Sequence, residues 1–468
     1  MIRTTLSFCL LFGGLLLVSK WMHQSVASQP ANTAESRDAP AGVLEAIPAD
    51  AKPIESDSSQ TSIPAAVISR DADRTIQLVA YDELTEVLNS LRPGTGSKLR
   101  LADDGDEPVT DGKDAPSSDF GPDNASPAIE PEIVLTPELR ELRSRLRECL
   151  AYYYFRPENV AIRSPWGAMH AMIAYGVDSE LIVGDKRVNA IGYLNYNGAC
   201  NGLQLFYTEN GKLQTRIGPG VQGHPAQYLA MLAQSRVKTD FPMLVDGRRF
   251  TVADLIQHEK ETCRPKTELT FKLIAFMHYL KSNDKWKSND GQDWDMQRLI
   301  KEELAQPIVG AACGGTHRMT GFSYAVRKRQ QRGEPFTGQW QRAKTFVEDF
   351  HEYAFRLQNP DGSFSTNWFA GRADDPTATR RLETTGHITE WLTYSLNKEQ
   401  LVEPRMLKSV SYLANLLIEN RDEKWGIGPL GHGLHALAMY DERIFGGQPG
   451  TRAVELAEAR KNRRATER

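Results

Sequence analysis

The chain has 468 residues, which at ~100–200 residues per domain is enough for two to four domains. Apolar residues make up 40%, charged residues 25%, and the formal net charge is −4, which excludes a collagen-like or wholly disordered chain, a multispan membrane protein, and a nucleic-acid binder held by bulk charge. The charge is unevenly spread. Residues 28–130 carry 20 acidic against 8 basic side chains, a balance of −12, whereas 1–27 stand at +2 and 131–468 at +6.

Residues 1–27 read as an export signal peptide or signal anchor. Arg3 supplies the positive start, Leu6–Val18 is an apolar run, and Ser25-Val26-Ala27 places small residues where a signal peptidase cleaves. Thirteen residues at 1.5 Å span about 20 Å, short of the ~30 Å hydrocarbon core, although Trp21 at the boundary suits an anchor covering 6–22. Both readings place the body of the protein outside the cytoplasm (periplasmic, cell-surface or secreted), with membrane contact only through this segment. Cys149, Cys200, Cys263 and Cys313 permit two disulfides there, with three possible pairings, or four separate thiols.

Residues 28–132 are rich in Ala, Ser, Pro and Asp, so they bury too little apolar surface to offset chain entropy and read as a disordered linker. One less polar island runs from Thr75 to Leu101, and Tyr81–Leu88 within it fits a short helix. From 133 the pattern changes. Leu139, Leu142, Leu146 and Leu150 stand at helical spacing behind Thr136 as N-cap. Further helical stretches are expected at 223–235, 251–262, 267–280, 294–305, 315–330, 339–357, 386–396, 404–419 and 430–441. Asn210-Gly211 and Asp246-Gly247, each between alternating apolar residues, predict β-hairpins.

Two internal repeats organise this body. Polar turns closed by an aromatic recur at Gln358–Phe364 and Glu419–Trp425, with a looser copy at Asn289–Trp294. Gly-His pairs recur at expected helix starts: Gly223-His224, Gly315-Thr316-His317, Gly386-His387 and Gly431-His432. Trp166-Gly167 leading to His170 makes a fifth version, and Thr267-Glu268 a sixth without histidine. Starts roughly 45–70 residues apart match helical hairpins stacked side by side. The predicted fold is therefore all-α: an (α/α)6 toroid of helical hairpins over 133–445 with small β-hairpin insertions, preceded by the tether and followed by a charged, exposed tail at 446–468.

Gln358-Asn359-Pro360-Asp361-Gly362-Ser363-Phe364 resembles the repeat of the terpenoid cyclase and prenyltransferase toroids, and the resemblance is carried mainly by residues 286–442. It implies a structural role for Gln358, Asp361, Gly362 and Phe364, tying the end of an outer helix to its neighbour. The family's chemical motifs do not accompany it. Asp293-Trp294-Asp295 and Asp374-Asp375 do not make the cyclase acid motif, no Asp-x-Cys matches the zinc motif of the prenyltransferases, and Cys313-Gly314-Gly315-Thr316 lacks the thioester glutamine.

Function is then argued from the site. Inner helices of such a ring run parallel, so their N-termini, each with unpaired amides and partial positive charge, share one face. Glycine there admits a ligand to the backbone, and histidine serves as acid, base or hydrogen-bond partner. The expected catalytic set is His224, His317, His387, Glu390 and His432, with Glu390 one turn from His387. Arg318, Arg380 and Arg381 are the candidate forks for a carboxylate or phosphate, and Trp391 and Tyr394 the stacking platforms. Six hairpins are expected to enclose more than one coordination sphere, so no metal and no cofactor is assigned, although His432 and His435 make a local pair. The expected function is a central cleft for an anionic or polyhydroxy ligand (a small molecule or glycan), in the manner of a polysaccharide lyase or hydrolase. The alternatives are a non-catalytic binding or scaffold toroid of the cell envelope, and a diverged terpenoid cyclase.

Overall fold

A computed structural model of the protein describes residues 133–458. The expected export segment, the linker with its short helix, and the end of the tail lie outside the described residues. The body is mainly helical with small strand pairs.

Local chemistry sets the element boundaries. Helix α1 (Pro137–Tyr154) begins where Thr136 accepts the Leu139 amide, and α2 (Pro165–Tyr175) where Ser164 accepts that of Gly167; proline presets the first turn of both. Between α2 and the short α3 (Ala190–Asn195) runs the hairpin β2 (Glu180–Val183)–β3 (Lys186–Asn189), with β1 (Glu158–Asn159) parallel to β2. Strands β4 (Phe206–Glu209) and β5 (Lys212–Thr215) close over Asn210-Gly211, and β6 (Pro242–Val245) and β7 (Arg248–Thr251) over Asp246-Gly247. Both residues of each turn have positive φ, as two-residue hairpin loops require. A fourth hairpin, β8 (Lys285–Lys287)–β9 (Asp293–Asp295), pairs Trp286 with Trp294. The expected copy of the polar turn at 289–294 is therefore a hairpin loop. The helix expected from 294 starts two residues later, because Asp295 caps it.

The remaining helices are α4 (Gln227–Gln234), α5 (Val252–Glu261), α6 (Thr270–Tyr279), α7 (Met296–Leu304), α8 (Thr316–Gln331), α9 (Gln339–Arg356), α10 (Ala378–Ser395), the single turn α11 (Lys398–Leu401), α12 (Pro404–Glu419) and α13 (Ile427–Phe445). Six of them form the inner layer. Helix α2 packs on α4, α4 on α6, α6 on α8, α8 on α10, α10 on α13, and α13 on α2. Helices α1, α7, α9 and α12 lie outside them, each burying one stripe, as in α7 with Met296, Leu299, Ile300 and Glu303. In α6, by contrast, nine of ten residues are buried.

Glycine lets the inner helices meet at their backbones. A Cβ on Gly431 would stand 2.3 Å from the His170 carbonyl oxygen, and one on Gly386 3.3 Å from Gly433 Cα. Here the expected ligand-admitting glycines are filled by a neighbouring helix. Gly431→Ala is expected to destabilise the protein by about 3 kcal/mol, because the obstacle is backbone that cannot rotate away. Thermal unfolding checks this, and an unchanged midpoint refutes it.

The Gln358–Phe364 turn joins three helices. Gln358 Nε2 donates to the carbonyls of Gly362 and of Arg405 at the start of α12. Asp361 accepts from Ser363 and pairs with Arg381 of α10 at 3.0 Å. Gly362, at φ 97°, leaves no room for a Cβ against the Lys408 carbonyl, and Phe364 is fully buried. The body also runs past its expected end at 445. Residues 452–458 are helical, and Arg452, on Asp441 and the Ala438 carbonyl, and Leu456 are buried, while Val454 is exposed. Among the described residues, Cys149, Cys200, Cys263 and Cys313 are free thiols. No described helix is long and apolar enough to cross a membrane.

Candidate functional site

Each inner helix sends one ring to the centre of the layer. His170 comes from α2, His224 from the loop before α4, Phe271 from α6, His317 from α8, His387 from α10 and His432 from α13. Ring centroids lie 4.0 Å apart for His387–His432, 5.1 Å for His317–His432, 5.4 Å for His170–His432, 5.5 Å for His317–His387 and 5.9 Å for His224–His317. Phe271 bridges His224 and His317 at 4.9 and 5.1 Å. The rings pack against one another at the centre.

Helix position differs from the expectation too. His317 and His224 do sit at helix starts, but α10 begins at Ala378 and α13 at Ile427, so His387 and His432 lie further into their helices. Glu390 does not pair with His387. Its carboxylate reaches across to α13, where it accepts from His432 Nδ1 at 2.7 Å and His435 Nδ1 at 2.5 Å.

Hydrogen bonds set the polarity of the site. His387 Nδ1 faces the Glu383 carbonyl at 2.7 Å and His170 Nδ1 the Trp166 carbonyl at 2.6 Å; His224 Nδ1 faces the Glu268 carboxylate at 2.6 Å. These oxygens only accept, so each Nδ1 carries a hydrogen, and the neutral rings His170 and His387 keep a lone pair on Nε2. Burial, then the neighbouring His432, lowers His170 to about 3, and the same causes hold His317 and His387 well below the usual imidazole range. Burial alone would raise the Glu390 carboxyl, but His432 and His435 outweigh it and keep it ionised. His170, His317 and His387 are thus neutral rings beside the Glu390 carboxylate, which His432 and His435 hold.

His317 is the exception. It is 7% exposed, and neither ring nitrogen has a partner. Cys313 lies one turn before it. The Cys313 Sγ and one nitrogen each from His317 and His387 lie within 4.8 Å of one another. Burial pushes the Cys313 thiol up to about 12.

Two tryptophans flank the imidazoles: Trp166, from the fifth repeat start, and Trp368, which was not singled out in the sequence. Half-buried Trp166 lies 4.0 Å over His170, and half-buried Trp368 lies 5.6 Å from His387. Ala226, Cys313 and Trp368 hold left-handed backbone at φ 61°, 49° and 55°, a conformation that costs a non-glycine residue about 1–3 kcal/mol. Trp368 stands in a loop without periodicity or repeat, so nothing in sequence pattern marked it.

The expected ligand-binding residues are engaged elsewhere. Arg318 is buried on Glu303 at 2.9 Å; Arg380 pairs with Glu383 at 2.8 Å, with its guanidinium 5.3 Å over Trp368; Arg381 is held by Asp361, Asp374 and Tyr412. Trp391 is fully buried and donates its indole N–H to Ser323, and Tyr394 stacks on Tyr324 at 4.1 Å near the far end of α10. Aromatic spacing on a helix does not distinguish the face turned to a ligand from the face packed inside.

No protein-family model, no curated protein and no solved structure matches this chain.

Proposed function

We propose that the six inner helices close into an (α/α)6 toroid and that the chain is an exported protein taking a polyhydroxy ligand, a glycan, against the imidazole centre. The closed order of inner-helix packing, from α2 round to α13 and back to α2, supports the toroid. Export rests on residues 1–27.

One observation carries the ligand class: the centre offers lone pairs and carboxylates, not free cations. Nε2 lone pairs on neutral imidazoles accept from hydroxyls and repel an anion, and Glu268 and Glu390 add negative charge. The three arginines expected to bind an anion are already paired. Half-buried Trp166 and Trp368 beside the imidazoles add aromatic surface of the kind that packs on sugars. Where turnover occurs, an Nε2 takes the proton from a substrate hydroxyl or acidified C–H, with Glu390 steadying the His432 imidazolium.

Calorimetric titration with neutral and uronic-acid oligosaccharides of equal length tests the reading. Neutral chains are expected to bind more tightly, and His224→Ala to weaken them about tenfold, the loss of ~1.4 kcal/mol from one accepting group. Binding by neither, or preference for the acidic chains, refutes it. Chromatography of the same mixtures separates an enzyme, which accumulates products, from a binder.

A further inference from the structure

We infer that Cys313, His317 and His387 form a transition-metal site, with Zn²⁺ the ion its donors suit. This goes beyond the glycan reading and does not depend on it. The three donors come from the loop before α8, from α8 and from α10, and converge within 4.8 Å. A buried neutral imidazole with no hydrogen-bond partner on either nitrogen has lost the hydrogen bonds water would supply, and His317 is such a ring. An ion on one of its nitrogens removes part of that deficit.

The second donor is already oriented as metal-binding imidazoles are. His387 Nδ1 holds the Glu383 carbonyl, so the ring cannot flip and its Nε2 lone pair is fixed. Two imidazoles bound through nitrogen at ~2.1 Å around a tetrahedral ion have ring centroids about 5 Å apart. The His317–His387 separation is 5.5 Å. His432, 4.0 Å from His387 and 5.1 Å from His317, with Nδ1 anchored on Glu390, stands nearest as a further nitrogen donor.

The third donor is held by strained backbone. Cys313, Gly314 and Gly315 have φ of 49°, 63° and 82° in succession. The Trp368 ring lies against Gly314, where a Cβ would stand 2.2 Å from it, and Ile308 closes on Gly315 in the same way. Such a conformation persists where surrounding packing over-determines it, and its effect is to turn the Cys313 side chain to the imidazoles. One thiolate with imidazole nitrogens suits zinc and its neighbours in the first transition row, and does not suit magnesium or calcium, which take oxygen.

The test uses the full chain, stripped with a chelator and then titrated with Zn²⁺ or Co²⁺. Wild type is expected to take up one equivalent, and the Co²⁺ form to show tetrahedral visible bands with a thiolate charge-transfer band in the near ultraviolet. Cys313→Ser is expected to abolish that band, and Cys313→Ser and His387→Gln each to weaken Zn²⁺ binding roughly 100-fold or more. His258→Gln, outside the cluster, is expected to bind as wild type does. Near-ultraviolet circular dichroism of the metal-free variants reports folding, and the two substitutions are near-isosteric so that one survives if the other does not. Failure of wild type to take up either ion, uptake unaffected by both substitutions, or a Co²⁺ spectrum without the thiolate band overturns the proposal. None of these readouts involves a glycan, so this inference and the ligand reading fail separately.

Discussion

Metal-free protein taken from pH 7.5 to pH 4 is expected to unfold, with its midpoint near pH 5. Three buried histidines dominate. Burial, then His432, lowers His170 to about 3; burial, then Lys328, Arg236 and Arg332, lowers His278 to about 4; burial lowers His351, bonded to Ser395, to about 4. Each is neutral when folded and titrates near 6.5 once unfolded. The stability each contributes is complete above pH 6.5 and is lost as the pH falls toward the folded-state value, because only the unfolded chain then takes up the proton. At pH 4 the loss is about 3 kcal/mol per histidine, or about 9 kcal/mol together, against a total stability of about 5–15 kcal/mol for a typical domain. His317 and His387 push in the same direction. Far-ultraviolet circular dichroism across a pH series with chelator present measures it. A native spectrum at pH 4 would contradict the buried, neutral state of these rings.

Arg318→Met is expected to cost about 3–5 kcal/mol, the penalty for stranding one member of a buried ion pair. Glu303 is wholly buried, and besides Arg318 Nε it accepts from the Leu269 amide at 2.7 Å and the Thr270 hydroxyl at 2.6 Å. It ties α7 to α6 and α8, and without the guanidinium its charge has no counter-ion within reach. Arg318→Met with Glu303→Gln is expected to recover much of the loss, since an amide does not need that counter-ion. Urea unfolding of the three proteins measures both changes, and a single-variant effect under 1 kcal/mol rules out the role. Glycan affinity of the folded single variant should match wild type, which distinguishes this assignment from the ligand fork that Arg318 resembles in sequence.

Local features were legible because local chemistry decides them. Asn210-Gly211 and Asp246-Gly247 admit little besides a hairpin turn, and Thr136 ahead of a spaced leucine stripe marks α1. The recurring Gly-His pairs identified four of the five central imidazoles. That they would face one centre was expected from the stacked hairpins; how closely they meet was not legible, since it depends on helix–helix distances that Gly386 and Gly431 shorten through contacts far along the chain. The start of α10 was hidden because Ala378–Glu383 is polar and largely lacks the apolar period that reveals a helix. Glu390 was assigned to the histidine nearest in sequence, whereas its partners lie 42 and 45 residues on.

Helix α13 settles between α2 and α10 and also touches α1, although some 250 residues separate it from α2. During synthesis the chain therefore emerges with its first helices waiting for their final neighbour, and a nascent product that stops before Ile427 leaves the α2 face that carries His170 open to water. Such a late, long-range closure makes assembly slow and leaves intermediates prone to aggregate until the last inner helix is in place.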